Sequence, residues 1–124
     1  MTSSKTSFPK TARLRRAGEF RNLVRNSRAL REDGVALHVL PNHSIKQSRL
    51  GILVSRKVLK RAVDRNRAKR LIREFFRVEK TNFLKSADIV VRLVDGSNLF
   101  KANNLEYILN HLFVRAKLIH EKNI

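Results

Sequence analysis

The feature that most constrains the fold is a long amphipathic segment between two short apolar ones. Within residues 62–79, apolar side chains recur at the spacing of an α-helix and share one face: Ala68, Leu71, Ile72, Phe75 and Phe76. Residues 50–55 precede this segment and residues 88–94 follow it, and both have the length and apolar content of β-strands. A strand, a helix and another strand in this order favour a crossover unit with parallel strands.

A further helix and strand come before this unit. Over residues 17–27, apolar residues at helical spacing predict a short helix: Phe20, Leu23 and Val24. A strand is predicted over residues 35–40, which follow Gly34 and are ended by Pro41.

A second long helix is predicted over residues 103–120. Asn103 and Glu106 have the spacing of a capping pair at its start. The predicted order is therefore α-β-β-α-β-α. It predicts an α+β fold, a two-layer sandwich in which helices pack on a small mixed sheet and the crossover runs through residues 62–79.

The chain length sets the number of domains. A chain of 124 residues fits one domain, because a second core would be too small to be stable. We place this domain at residues 13–121. Residues 1–12 are polar and are predicted to form a flexible basic arm. Organelle transit peptides also begin with Arg- and Ser-rich segments, but an arm on a cytoplasmic protein is the simpler interpretation.

The predicted central helix and the residues before it carry a dense positive charge. Residues 56–73 read RKVLKRAVDRNRAKRLIR, with nine Lys or Arg and one acid, Asp64. The arc beside and opposite the apolar face is polar and basic: Arg65, Asn66, Lys69, Arg70, Arg73 and Arg77. An ordinary solvated helix face mixes the two charge signs, and this one barely does. Because Arg donates two parallel hydrogen bonds to phosphate, this face predicts contact with a phosphate backbone.

The whole chain has a formal net charge of +18, which favours a polyanionic partner. The candidates are nucleic acid, an anionic membrane surface and an acidic protein. A membrane anchor has a broad apolar face without a surrounding globular pattern, whereas helices and strands alternate here. Nucleic acid is therefore the favoured partner.

No catalytic or metal site is predicted within the protein itself. The chain has no cysteine, which excludes a disulfide, a zinc knuckle and a thiol nucleophile. Its ten acidic residues are scattered, and its four histidines lack the spacing of a metal site or an acid–base pair. We therefore expect no catalytic residue.

The residue order within the basic segment resembles the signature of the bacterial ribonuclease P protein component. Arg65-Asn66-Arg67 is followed by Lys69-Arg70 and then by Arg73-Glu74. The resemblance continues along the chain at Arg13-Leu14, at Glu19-Phe20, over residues 50–57 and over residues 88–91.

The resemblance implies a small subunit bound to a catalytic RNA, with a fold like that of ribosomal protein S5 domain 2. That RNA removes the 5′ leader from precursor tRNA, with Mg²⁺ held through the RNA and none held by the protein alone. The implied partners are the RNA subunit and the leader, with no membrane and no required protein partner. The residues carried over to the RNA-subunit surface are Arg56, Lys57, Lys60, Arg61, Arg65, Asn66, Arg67, Lys69, Arg70 and Arg73.

The resemblance also implies a cleft between the first helix and the sheet, which takes the single-stranded leader. The residues carried over to this cleft are Arg13, Arg16, Phe20, Val24 and His38. Phe20 matches a position whose ring stacks on unpaired bases. Plain core packing is the other interpretation of Phe20, and the sequence leaves both open. Val24 and His38 stand where the family often has aromatic residues.

Two other classes of nucleic-acid-binding protein compete with this interpretation. A ribosomal or other structural RNA-binding protein shares the charge, the size and the α+β class. Such a protein needs no fixed Asn between two arginines, so the Arg-Asn-Arg order argues against it. A helix-turn-helix DNA-binding protein needs two adjacent short helices, and strands are predicted in their place.

Overall fold

The structure, a computed structural model, describes residues 17–42, 45–97 and 99–121. In chain order the elements of this part are α1 Ala17–Asn26, β1 Ala29–Glu32, β2 Val35–Pro41, β3 Arg49–Leu53, α2 Ala62–Glu79, β4 Ala87–Leu93 and α3 Asn104–Arg115. A short 3₁₀ turn, Lys80–Asn82, extends α2. The predicted arm, residues 1–12, lies outside the described residues.

The strands form one mixed sheet in the order β1-β2-β4-β3. β2 is antiparallel to β1 and to β4, whereas β4 is parallel to β3. Because parallel neighbours need a crossover connection, α2 links β3 to β4 across one face of the sheet. The predicted α+β class, the mixed sheet and the crossover through the basic helix are confirmed.

The strand β1, which pairs with β2 in a hairpin, was not predicted from the sequence. The turn of this hairpin is Asp33-Gly34, with φ angles of 50° and 132°. Positive φ at both central residues suits the twist of paired strands, and Asp-Gly is a common sequence for such turns. A Cβ atom at Gly34 would lie 2.3 Å from the carbonyl oxygen of Asp95. Only glycine therefore fits this turn.

The main core lies between the sheet and the helices α2 and α3. Alternate residues of β4 face it, and so do the buried residues of α3: Ala87, Ile89, Val91, Leu93, Leu105, Ile108, Leu109 and Leu112. Phe75 of α2 meets Phe113 of α3 edge to face, with 5.0 Å between the ring centroids. This contact ties the inner face of α2 to α3.

The buried face of α2 follows the predicted helical phase. Ala68, Ile72, Phe75 and Phe76 are buried, as predicted. Leu71, which was predicted to share this face, is 41 % exposed. One step along a helix turns by about 100°, so Leu71 falls outside the arc centred near Ile72. The polar arc of α2 therefore faces away from the core.

The helix α1 lies on the other face of the sheet. Leu23 is buried against Val90, and Leu40 and Leu53 pack around this pair. Val90 points to this face because side chains alternate along β4. The helices α2 and α3 thus cover one face of the sheet, and the short helix α1 covers part of the opposite face.

The helix α3 is shorter than the one predicted over residues 103–120. It ends at Arg115, and Lys117 has a left-handed backbone conformation with φ of 60°. The amide of Leu118 donates a hydrogen bond to the carbonyl of Phe113, as in a Schellman ending. Leu118 is buried after the chain has turned. In the sequence, this apolar residue therefore looks like part of the buried face of a longer helix.

The predicted capping pair at the start of α3 is wrong. Asn103 has φ of 61°, and its side chain makes no capping hydrogen bond. A capping residue ordinarily has extended backbone. Here the amide of Asn104 donates to the carbonyl of Lys101, and that of Leu105 donates to the carbonyl of Leu99. Backbone turns therefore replace the side-chain cap.

Candidate RNA-binding surfaces

The loop before α2 holds four cations in a defined conformation. The amides of Val58 and Leu59 both donate to the carbonyl of Ser55, at 3.1 Å each. Leu59 is buried and anchors the loop to the core. A Cβ atom at Gly96 would lie 2.8 Å from the carbonyl oxygen of Val58, so the turn after β4 packs closely against this loop. The exposed side chains of the loop include the predicted phosphate contacts Arg56, Lys57, Lys60 and Arg61.

Arg65 braces this loop against α2. Its Nη1 donates hydrogen bonds to the carbonyls of Leu59 and Lys60, at 2.9 Å each. A guanidinium group has five N–H donors, and these bonds use two of them. The contact of Arg65 with RNA stays a prediction. The hydrogen bonds from Arg65 to the loop carbonyls were not predicted, since no pattern in the sequence indicates them.

Arg67 lies on the other side of α2 from Arg65, because two steps along a helix turn by about 200°. Its guanidinium lies over the ring of Phe100, with 4.3 Å between Cζ and the ring centroid. Phe100 itself packs against the main core. A cation–π contact therefore fixes the guanidinium in place. Phe100 was not predicted as a partner of Arg67, since only the fold brings the two side chains together.

The outward arc of α2 is polar, as predicted from the helical phase. The exposed or half-buried residues on it include Asn66, Lys69, Arg70 and Arg73. Arg77 is paired with Glu74, with 3.1 Å between Nε and Oε1 and 2.6 Å between Nη2 and Oε2. These hydrogen bonds lower the pKa of the Glu74 carboxyl. The ion pair thus neutralises one guanidinium group in the last turn of α2.

The start of α2 has the electrostatic properties of an anion site. Arg61 is the N-cap residue, and its side chain makes no capping hydrogen bond. The first turn of a helix carries positive partial charge, which favours anions and disfavours cations. Lys60, Arg61 and Arg65 nevertheless lie at this end, with Asp64 as the acid of the first turn. A phosphate at this position would relieve their repulsion.

The face of the sheet beneath α1 is the second candidate surface. His38 lies on this face and is 3 % exposed, with Nδ1 at 3.1 Å from Oγ of Ser27. The buried Nε2 of His38 and the buried Nε of Arg92 have no hydrogen-bond partner within the described residues. Burial lowers the pKa of His38, and the positive charges of Arg92 and Arg31 lower it further. His38 is therefore neutral at pH 7.

The structure describes only part of the predicted leader cleft. Arg13 and Arg16 lie outside the described residues, and so does the side chain of Phe20, which is a residue of α1. Val24 is half-buried on α1. His38 is buried beneath the surface of this face and exposes almost no ring surface on which a base could stack. The contact of these five residues with a leader stays a prediction.

An ion pair fixes one end of the same face. Arg49 donates from Nε to Oδ1 of Asp88 at 2.8 Å and from Nη2 to Oδ2 at 2.9 Å. Nδ2 of Asn42 donates to the same carboxylate at 3.1 Å. Arg49 and Asp88 are direct partners in the pairing of β3 with β4. The network therefore joins β3, β4 and the residue that follows β2.

Substitution of His38 by leucine is expected to remove part of the protein's acid sensitivity. Because the folded-state pKa of His38 is lowered, the unfolded chain alone takes up this proton as the pH first falls below about 6.5. Neutral His38 therefore makes its whole contribution to the free energy of unfolding above about pH 6.5. This contribution is lost as the pH falls through the folded-state pKa. Urea unfolding should show a smaller loss of stability between about pH 7.5 and about pH 5.5 in His38→Leu than in the parent. Equal losses would contradict the buried, neutral state of His38.

Several of the described carboxylates and histidines are paired with other side chains. Within residues 17–42, 45–97 and 99–121, no three carboxylate or histidine side chains group closely enough to hold a metal ion. Glu32 accepts from Arg115 at 3.2 Å and lies 3.0 Å from Nδ1 of His111, which ties α3 to β1. Over the same residues, no helix is long and apolar enough to cross a membrane.

Comparison with known proteins covers most of the chain. Residues 8–117 match the family model described as Ribonuclease P. The ribonuclease P protein component of Clostridium acetobutylicum is 36 % identical over 118 residues, which are 93 % of this chain and 98 % of the relative. That of Staphylococcus epidermidis is 33 % identical over 91 % of this chain and 96 % of the relative.

Solved structures share the fold. The RNase P protein of Staphylococcus aureus superposes with a TM-score of 0.81 at 28 % identity, over 90 % of this chain and 100 % of that one. The RNase P protein of Thermotoga maritima gives a TM-score of 0.73 at 30 % identity, over 83 % of this chain and 96 % of that one. Sequence and fold agree, and the chain therefore belongs to the ribonuclease P protein family.

Proposed function

We propose that this chain is the protein subunit of ribonuclease P, since its family membership implies a role in tRNA 5′ processing. In this proposal it binds the catalytic RNA subunit and the 5′ leader of precursor tRNA, and the RNA removes the leader. The observation that carries the proposal is the geometry of Arg65-Asn66-Arg67. Two guanidinium groups are held on either side of an exposed Asn, at the basic start of α2.

The surface for the RNA subunit consists of α2 and the loop before it. Each phosphate that a Lys or Arg neutralises releases condensed counterions, so the affinity falls as the salt concentration rises. The guanidinium of Arg67 is stacked by its face on Phe100 and still presents its N–H groups at its edge. Asn66 offers a neutral donor and acceptor to a base edge or a 2′-hydroxyl.

The surface for the leader is the face of the sheet beneath α1, together with α1 itself. Arg21 and Arg25 are exposed on α1, and Arg92 is half-buried on the sheet. These cations favour a single strand of RNA along this face. Phe20 provides the ring on which an unpaired base stacks. The leader surface and the RNA-subunit surface are therefore on opposite faces of the sheet.

In this proposal no protein side chain takes part in bond cleavage. Mg²⁺ would be held by the RNA and by no residue of this chain, and it would supply the activation of water and the stabilisation of the leaving oxygen. The protein reduces phosphate repulsion, so that RNA subunit, substrate and metal ions assemble at lower salt and magnesium concentrations. Because the protein also binds the leader, the holoenzyme has a higher affinity for precursor tRNA than for mature tRNA. No membrane and no further protein partner is required.

Substitution of Phe20 by alanine is expected to reduce the preference for precursor over mature tRNA by about ten-fold. Stacking of one base on an aromatic ring contributes about 1–3 kcal/mol, and about 1.4 kcal/mol corresponds to a factor of ten. The measurement is the dissociation constant of the reconstituted holoenzyme for each of the two tRNA forms.

Tyr107→Ala is the matched control for this experiment, because Tyr107 is an aromatic residue 66 % exposed on α3. It should leave the preference unchanged. An equal loss in both variants would contradict the assignment of Phe20 to the leader. If Phe20→Ala weakened binding of the RNA subunit as much as Arg67→Ala does, the division into two surfaces would be wrong.

A further inference from the structure

A cavity of about 330 Å³ lies at the C-terminal end of α2, next to the end of the sheet where Asn42, Arg49 and Asp88 are paired. Sites for small molecules measure about 300 to 1,000 Å³, so this cavity lies at the lower end of that range. Phe76, Phe83 and Leu84 contribute apolar surface to the lining. Three lysines also line it: Lys46, Lys80 and Lys85. An apolar floor with a cationic rim is the combination that a nucleotide requires.

Hydrogen bonds between two loops hold the walls of the cavity in place. Oγ of Ser86 donates to the carbonyl of Lys46 at 3.2 Å, and Oγ of Ser48 accepts from the amide of Ala87 at 3.0 Å. The amide of Asn42 donates to the carbonyl of Ser86 at 3.1 Å. These bonds fix the backbone of the walls in advance, so that the lysine side chains are what a ligand has to order when it binds.

The charges around the cavity favour an anion. The three lysines are exposed and make no ion pair with a carboxylate in the described part of the chain. The acid that precedes Lys80, Glu79, is buried and accepts a hydrogen bond from Asn82. The C-terminal end of a helix carries negative partial charge, and Lys80 offsets it at this end of α2.

A row of cations connects the RNA-subunit surface to this cavity. Its members are spaced by four, four and seven residues, which keeps them on one side of α2: Arg65, Lys69, Arg73 and Lys80. At about 1.5 Å per residue, the row is about 22 Å long. It runs on the α2 side of the sheet, whereas the proposed leader surface is on the α1 side.

We infer that the cavity binds an unpaired nucleotide of the RNA subunit, as a second anchor at the far end of α2. The base packs on Leu84 and Phe83, and the flanking phosphates lie against Lys46, Lys80 and Lys85. This inference rests on the proposed function, because it takes the RNA subunit as the partner.

Site-directed crosslinking tests the inference directly. The chain has no cysteine, so one introduced cysteine can be modified with a benzophenone maleimide at a known position. The three positions are Leu84→Cys at the cavity, Asn66→Cys on the RNA-subunit surface and Tyr107→Cys on α3. Each modified protein is assembled with ribonuclease P RNA and precursor tRNA, which carry different labels, and then irradiated.

The expected result is a crosslink from positions 84 and 66 to the RNA subunit, and none from position 107. A crosslink from position 66 without one from position 84 would overturn the inference and leave the proposed function intact. A crosslink from position 84 to precursor tRNA alone would overturn the choice of partner. If no position reached either RNA, the proposed function itself would fall.

The salt dependence of binding supplies a second readout. The slope of log affinity against log salt is negative, and replacing Lys46, Lys80 and Lys85 together by alanine should reduce its magnitude by about 2, since each single-strand phosphate contact contributes about 0.7. Replacing the same three residues by arginine keeps the charges and should keep the slope. An unchanged slope in the alanine variant would overturn the inference.

Discussion

Replacement of Arg67 by alanine is expected to weaken the binding of ribonuclease P RNA by about ten- to one-hundred-fold. A hydrogen bond to a charged group contributes about 1.5–3 kcal/mol, and about 1.4 kcal/mol is a factor of ten. The guanidinium is already held 4.3 Å above the ring of Phe100, so little side-chain freedom is lost on binding. Filter binding at one fixed salt concentration measures the effect.

Two further variants separate charge from geometry in this experiment. Arg67→Lys keeps the charge but loses the planar fork, so its affinity should fall between those of the parent and Arg67→Ala. Arg77→Ala also removes one arginine from α2, but Arg77 is paired with Glu74 and should matter little. If Arg77→Ala cost as much as Arg67→Ala, binding would depend on total charge and not on the Arg-Asn-Arg segment.

Replacement of Asp88 by alanine is expected to reduce the free energy of unfolding by about 3 kcal/mol. Removal of one partner from a buried ion pair costs about 3–5 kcal/mol, because the other charge is left without a partner. The Asp88 side chain is 11 % exposed and accepts from both Arg49 and Asn42. The lower end of the range applies because Arg49 is 24 % exposed and can turn towards water. Urea unfolding near neutral pH measures the loss.

Glu74→Ala is the control for the Asp88 experiment. It also breaks an ion pair with an arginine, but both side chains are well exposed. Exposed pairs contribute little because water and salt screen them. A similar loss of stability in the two variants would contradict the assignment of a structural role to the Asp88 network.

Periodicity alone predicted most of the fold. The phase of Ala68, Ile72, Phe75 and Phe76 located the inner face of α2, and the apolar strands on either side of it predicted the crossover. The strand β1 was missed because it has only four residues, of which Arg31 and Glu32 are charged, so no apolar alternation marks it. Its signal is the Asp-Gly turn that follows. The end of α3 was missed because a lysine, and not a glycine, adopts the left-handed conformation there.

The candidate surfaces could be predicted only in part. Helical phase and charge placed Asn66, Lys69, Arg70 and Arg73 on one outward arc, and the structure brings them together there. The bracing of Arg65 by two loop carbonyls and the stacking of Arg67 on Phe100 depend on the fold, since no local pattern links these partners. The burial of His38 beneath α1 also depends on the fold, because a strand pattern does not show what covers it.

The proposed function depends above all on whether this protein stimulates leader cleavage by ribonuclease P RNA. Precursor tRNA is incubated with the RNA at a low millimolar magnesium concentration, with and without this protein, and the 5′ end of the product is mapped. We expect faster cleavage at the mature 5′ end when the protein is present, and no cleavage by the protein alone. A rate that the protein leaves unchanged, or cleavage by the protein without the RNA, would contradict the proposed function.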